Sequence, residues 1–148
     1  MGVEEEFEQL VEGARKAAAI LRDADVPYAL GGGLAAWARG GPRTEHDVDF
    51  FVKPEDAERA WTAFAEAGYC TERPIESWLL KAYDGDLLVD LIFDPASGPV
   101  DDELLARAEE LELRAVRMPV ASLEDVMVTF RRQGRFCGIN PDSRSGPA

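Results

Sequence analysis

Apolar residues recur at helical spacing through residues 4–24, where Phe7, Leu10, Val11, Ala14, Ala17, Ala18 and Leu21 form one stripe. The Glu4-Glu5-Glu6 run at its start suits the positive end of a helix dipole. Asp25-Val26-Pro27 breaks the helix, and Tyr28-Ala29-Leu30 reads as a strand entering Gly31-Gly32-Gly33. Leu34, Ala35, Trp37 and Ala38 predict a short apolar helix ended by Gly40-Gly41-Pro42. Residues 47–52, Asp-Val-Asp-Phe-Phe-Val, read as a second strand. Pro54 then opens a helix with Glu55 and Asp56 in its first turn; Ala57, Ala60, Trp61 and Phe64 supply its buried face, and Gly68 ends it.

From residue 78 the pattern turns to strands. Residues 78–83 and 87–93 flank Asp84-Gly85-Asp86 and predict a hairpin, with Asp84 and Asp86 as turn residues. The second of these strands is apolar on both faces apart from Asp90. Asp101-Asp102-Glu103 opens a helix carrying Leu104, Leu105 and Ala108, and residues 113–117 read as a short strand. Ser122-Leu123-Glu124-Asp125 reads as a capping box that starts a helix running to about Arg131. Residues 132–148 lack periodicity and are rich in Gly, Pro, Ser and Arg, which predicts a disordered tail behind a domain spanning 1–131. The expected class is α+β, a mixed β-sheet packed against helices.

Charge narrows the partners. The 148 residues carry 29 acidic and 16 basic side chains, a net charge of −13. That field disfavours polynucleotide backbones and anionic membranes and suits cationic small molecules. No apolar run is long enough for a transmembrane helix, and the acidic N-terminus has no signal-peptide pattern. Cys70 and Cys137 have no metal-ligand spacing and suggest no disulfide framework, so the expected location is the cytoplasm.

Alternation along 47–52 sends Asp47 and Asp49 to one face and Val48, Phe50 and Val52 to the other. Two carboxylates a pleat apart on so apolar a strand repel each other and are costly to desolvate. A hard cation relieves both problems. Magnesium is the usual choice, with manganese as a substitute, held by one or two carboxylates plus substrate phosphates. The glycine turn offers the complementary half, free amide groups at a helix start that favour phosphate.

Gly32-Gly33 followed by Asp47-Val48-Asp49 between hydrophobics resembles the signature of the nucleotidyltransferase superfamily with the polymerase-beta-like fold. With Gly32-Gly33-Leu34-Ala35 and Arg43-Thr44 ahead of the acid pair, the chain is most similar to small bacterial nucleotidyltransferases. These include the lincosamide and aminoglycoside adenylyltransferases and toxin-type relatives. The resemblance implies a minimal fold of that type and transfer of a nucleoside monophosphate, AMP, from ATP to a hydroxyl of an unidentified small molecule. It implies Gly32 and Gly33 at the phosphates and Asp47 and Asp49 on metal. Asp90, in Leu88-Val89-Asp90-Leu91-Ile92, matches the third acid as metal ligand and general base. The alternative for Asp90 is a structural pairing with an arginine. A homodimer is compatible, since two chains could complete one site. Relatives with a stretch like residues 119–125 carry a lysine in the next helix and continue helically; this chain has Phe130 and then loses the pattern. The resemblance also admits a second class, an antitoxin-like or regulatory protein that binds or acts on a protein or tRNA.

Other residues carry two readings each. Arg43 could steady the triphosphate or serve in a salt bridge. His46 should face away from Asp47 and reads as a packing or surface residue. Lys53 and Lys81 could reach phosphates or stay solvated, and Trp37 could line a nucleotide pocket or pack in the core.

Overall fold

The apolar stripe of the first segment folds as α1 (Val3–Asp23), and the punctuation that follows yields β1 (Tyr28–Gly31) and α2 (Gly32–Ala38). Next come β2 (Val48–Val52), α3 (Pro54–Glu66), β3 (Cys70–Glu72), β4 (Leu79–Asp84) and β5 (Leu87–Ile92). The series ends with α4 (Asp102–Ala106), β6 (Glu109–Leu113), β7 (Val116–Val120) and α5 (Leu123–Gln133). This computed structural model describes residues 3–41 and 47–133. Arg43, His46 and residues 134–148 of the expected tail lie outside the described residues.

The strands form one mixed sheet in the order β3-β4-β5-β2-β1-β7-β6, so the class is α+β. At its centre β2 runs parallel to β5 and antiparallel to β1. Every residue of β2 is buried. Val48 and Phe50 stand beside Val89 and Leu91 of β5, and Phe50 beside Leu30 of β1, on one face. Alternation puts Leu87 on that face too, and α1 approaches it there: a Cβ on Gly13 would lie 2.5 Å from a Leu87 methyl. The opposite face carries Asp49 and Phe51, beside Asp90 and Ile92.

Local hydrogen bonds explain where the helices stop. The Val26 N–H donates to the Leu21 carbonyl at 3.0 Å, with Asp25 in the left-handed region, which closes α1 ahead of Pro27. The Gly41 N–H donates to the Ala36 carbonyl at 2.8 Å and closes α2 in the same way. Arg39, just beyond α2, donates from Nε to the Ala121 carbonyl at 2.9 Å and from Nη2 to the Val120 carbonyl at 3.1 Å. It thereby ties the glycine turn's helix to the end of β7. Half of the capping box forms, with the Asp125 N–H donating to Ser122 Oγ at 3.1 Å; Asp125 Oδ2 accepts from the Ser122 hydroxyl at 2.7 Å. Burial raises the Asp125 carboxyl, but the Arg107 fork and the Ser122 hydroxyl outweigh it and hold the group below the usual carboxylate range. α5 runs to Gln133, two residues beyond its expected end.

Three expectations fail here. The helix expected to carry Leu104, Leu105 and Ala108 is shorter, since α4 ends at Ala106 and Ala108 leads directly into β6. The single strand at 113–117 does not exist; Leu113 ends β6, Val116 starts β7, and the two are paired across a two-residue turn. Arg114 and Ala115 take φ of 49° and 75°, the left-handed pair that such a turn needs and that Asn-Gly would ordinarily supply. The three-residue edge strand β3 was also not expected; its residues are all exposed, so no apolar pattern announces it.

Candidate active site

Asp47, Asp49 and Asp90 converge on one face of the central strands. One carboxylate oxygen from each lies within 4.8 Å of the others. Asp47 stands just before β2, while Asp49 and Asp90 are register partners on β2 and β5. Asp49 and Asp90 are only 4% and 3% exposed, the only buried charged side chains among the described residues. Three acids packed this closely in an apolar sheet fit a divalent cation: hard oxygen ligands, converging from two neighbouring strands, whose repulsion the ion would cancel.

Gly32 supports this cluster in a second way besides opening α2. Its φ is +63°, and an added Cβ would lie 2.8 Å from Asp49 Cγ and closer still to Oδ2. The Asp49 side chain thus rests where the side chain of any other residue at 32 would be. The N-cap residue of α2 is Gly31, which has no side chain of its own to cap the helix. The Asp90 side chain meets a cation on its other flank. Lys81 is its register partner on β4, and Lys81 Nζ donates to Asp90 Oδ1 at 3.2 Å. The structural pairing weighed for Asp90 therefore exists, with a lysine in place of the arginine.

Two more residues belong to this face that the sequence reading did not single out. Tyr83, one pleat along from Lys81, donates from Oη to Glu72 Oε1 at 2.9 Å. Burial, then the bond and charge of Glu72, then the charges of Asp90 and Asp47, push the Tyr83 hydroxyl up to about 12. The signal for Tyr83 lay in the hairpin: counting four residues out from each side of the Gly85-Asp86 turn pairs Lys81 with Asp90 and puts Tyr83 on the same face. Glu72, on the exposed strand β3, had none.

The family model described as "Nucleotidyl transferase of unknown function (DUF2204)" matches residues 10–136. The chain belongs to this family. That span holds the glycine turn and all three aspartates of this nucleotidyl transferase family member. No curated protein matches it significantly in sequence. Solved structures share its fold. One is a protein from Thermotoga maritima assigned as a nucleotidyltransferase, 21% identical, with a TM-score of 0.71 over 87% of each chain. Another is ANT(2″)-Ia in complex with adenylyl-2″-tobramycin, 21% identical, with a TM-score of 0.65 over 85% of this chain and 76% of that one. A third is the lincosamide antibiotic adenylyltransferase LnuA with lincomycin bound, 12% identical, with a TM-score of 0.55 over 82% and 92%. The fold is that of the nucleotidyltransferases.

The remaining candidates are placed as follows in this family member. Lys53, at the start of α3, bonds Asp102 at 2.7 Å. Trp37 packs edge-on against Phe7 at 4.8 Å between ring centres, a core contact. No helix among the described residues is long and apolar enough to cross a membrane.

Proposed function

We propose that this chain is a metal-dependent nucleotidyltransferase that moves AMP from ATP to a hydroxyl of a small molecule. The observation that carries the reading is the meeting of Asp47, Asp49 and Asp90 beside a glycine turn shaped around Asp49. Membership of a nucleotidyl transferase family supports the reaction class. The adenylyl-tobramycin and lincomycin found in two structural neighbours support the donor and the kind of acceptor. The strongly acidic chain favours a cationic acceptor over a polynucleotide.

In this reading Asp47, Asp49 and Asp90 hold magnesium or manganese, which supplies charge neutralisation at the phosphates and at the attacking and leaving oxygens. The Gly32 and Gly33 amides hold phosphate, with Arg43 as a further contact. The acceptor oxygen attacks the α-phosphorus, the bond to pyrophosphate breaks, and Asp90 accepts the proton that the hydroxyl loses. Burial of Asp49 and Asp90 keeps water from competing at these groups.

The test is a transfer screen with labelled ATP, GTP, CTP and UTP against aminoglycosides, lincosamides, tRNA and co-expressed proteins. Transfer of AMP to an antibiotic is expected, falling by roughly 10²–10⁴-fold in Asp90→Asn, the range for loss of a general base. An Asp90→Asn protein that transfers at the wild-type rate would sink the assignment. Labelling of a protein or tRNA alone would favour the regulatory reading.

A further inference from the structure

We propose that Lys81 is a resident counter-cation of Asp90, which holds the third carboxylate until the phosphates of a nucleoside triphosphate draw the ammonium away. The inference rests on the transferase reading and deepens it, because filling of the cluster then depends on nucleotide.

Lys81, Asp90 and Asp49 stand in one row across three strands, each the register partner of the next. The ammonium is 3.2 Å from Asp90 Oδ1, with the lysine side chain 21% and the aspartate side chain 5% exposed. Glu72 is the register partner of Lys81 on the other side, yet the Glu72 carboxylate accepts from Tyr83. Lys81 pairs inward, toward the acid cluster. The backbone beneath it is pinned, since Trp61 Nε1 donates to the Lys81 carbonyl at 3.0 Å. α3 thus sets where the ammonium starts.

Charge gives this placement its consequence. At Asp90, Lys81 already supplies the positive charge that a divalent cation would otherwise bring. An ammonium this near, in a partly buried site, repels an incoming cation and occupies one of its ligands. Nucleotide phosphates reverse that balance by bringing negative charge of their own. Lysine suits the exchange: a compact point charge with three donors on a flexible stem can turn from carboxylate to phosphate without moving its strand. Metal and nucleotide binding then strengthen each other, as linkage requires.

The test is calorimetry on the full chain with Mn²⁺ alone, then with Mn²⁺ and a non-hydrolysable ATP analogue. Lys81→Met keeps the apolar stem and removes the charge. It should bind Mn²⁺ alone roughly tenfold more tightly than wild type. It should also gain less Mn²⁺ affinity from the analogue. Lys81→Arg, which keeps the charge, should retain the weak Mn²⁺ binding of wild type. Lys81→Gln serves in place of the methionine variant should that one not fold. A folded, charge-removed variant with unchanged or weaker affinity for Mn²⁺ alone overturns the proposal. Asp49→Asn in the same titration separates the two readings. If it loses Mn²⁺ binding while Lys81→Met gains nothing, the role of Lys81 falls alone. If it binds Mn²⁺ as wild type does, the metal cluster and the role of Lys81 fall together.

Discussion

On one face of β2, Phe50 lies between Leu30 and Leu91 and meets Tyr28 edge-on at 5.5 Å between ring centres. On the other, one residue away, Asp49 lies between Gly31 and Asp90. Both side chains are almost wholly shut off from water, 0% and 4% exposed. Burial stabilises the first by roughly 1.5–3 kcal/mol and opposes the second, because an ionised carboxylate loses hydration and gains like-charged neighbours. A single strand therefore joins a folding face to a face that folding alone would not select. Phe51 and Ile92 continue the acid face as buried apolar side chains, so the carboxylates sit beside a low-dielectric wall. The contrast teaches where to look for chemistry: at buried groups whose own burial is unfavourable.

The largest effect expected from breaking this contrast is on the folding face. Phe50→Ala should cost roughly 3–5 kcal/mol, the range for truncating a fully buried phenylalanine. Denaturant unfolding would measure it. A loss below about 1 kcal/mol would mean that the α1 side of the sheet is not the main core.

A smaller effect sharpens the role of the turn that shapes the acid face. Gly32 and Gly85 both have φ of +63°, yet a Cβ would strike Asp49 at the first and nothing within 4 Å at the second. Gly85→Ala should therefore show only the backbone cost, about 1–2 kcal/mol. Gly32→Ala should cost more, because it must also displace the Asp49 carboxylate, and it alone should weaken Mn²⁺ binding. Equal losses of stability with unchanged Mn²⁺ affinity would reduce Gly32 to a turn residue.

The two faces of β2 were legible in the sequence because a strand's period of two needs no tertiary information: Asp47 and Asp49 alternate with Val48, Phe50 and Val52. Asp90 was legible for a related reason, as the lone acid in an otherwise apolar strand. The β4–β5 hairpin announced itself through Gly85, whereas β6–β7 turns on Arg114 and Ala115, which carry no turn signal. There tertiary contacts impose the left-handed backbone: Leu113 is fully buried, and Arg114 Nε donates to Glu8 of α1 at 3.0 Å. The contact between Gly32 and Asp49 was equally beyond reach, since glycine at a helix start reads as conformational need and the facing carboxylate appears only once β1 and β2 pair. Lys81 was named as a possible phosphate ligand, but its pairing with Asp90 depends on a register that the hairpin had to fix first.

The smallest stability change expected is on the acid face itself, and its sign is the point. Asp49→Asn keeps the side chain's size while removing one of three clustered charges. Where Phe50→Ala destabilises by kilocalories, Asp49→Asn in the presence of EDTA should leave stability unchanged or raise it by up to about 1 kcal/mol, through relief of repulsion. The two proteins should then diverge on adding Mn²⁺. Wild type should gain stability as a ligand binding only the folded state dictates, about 2.7 kcal/mol at a hundredfold excess over Kd. Asp49→Asn should gain little. Thermal unfolding with and without Mn²⁺ reads both effects at once. A variant that is destabilised in EDTA and still protected by Mn²⁺ would show that Asp49 belongs with the folding face, and that the cation sits elsewhere.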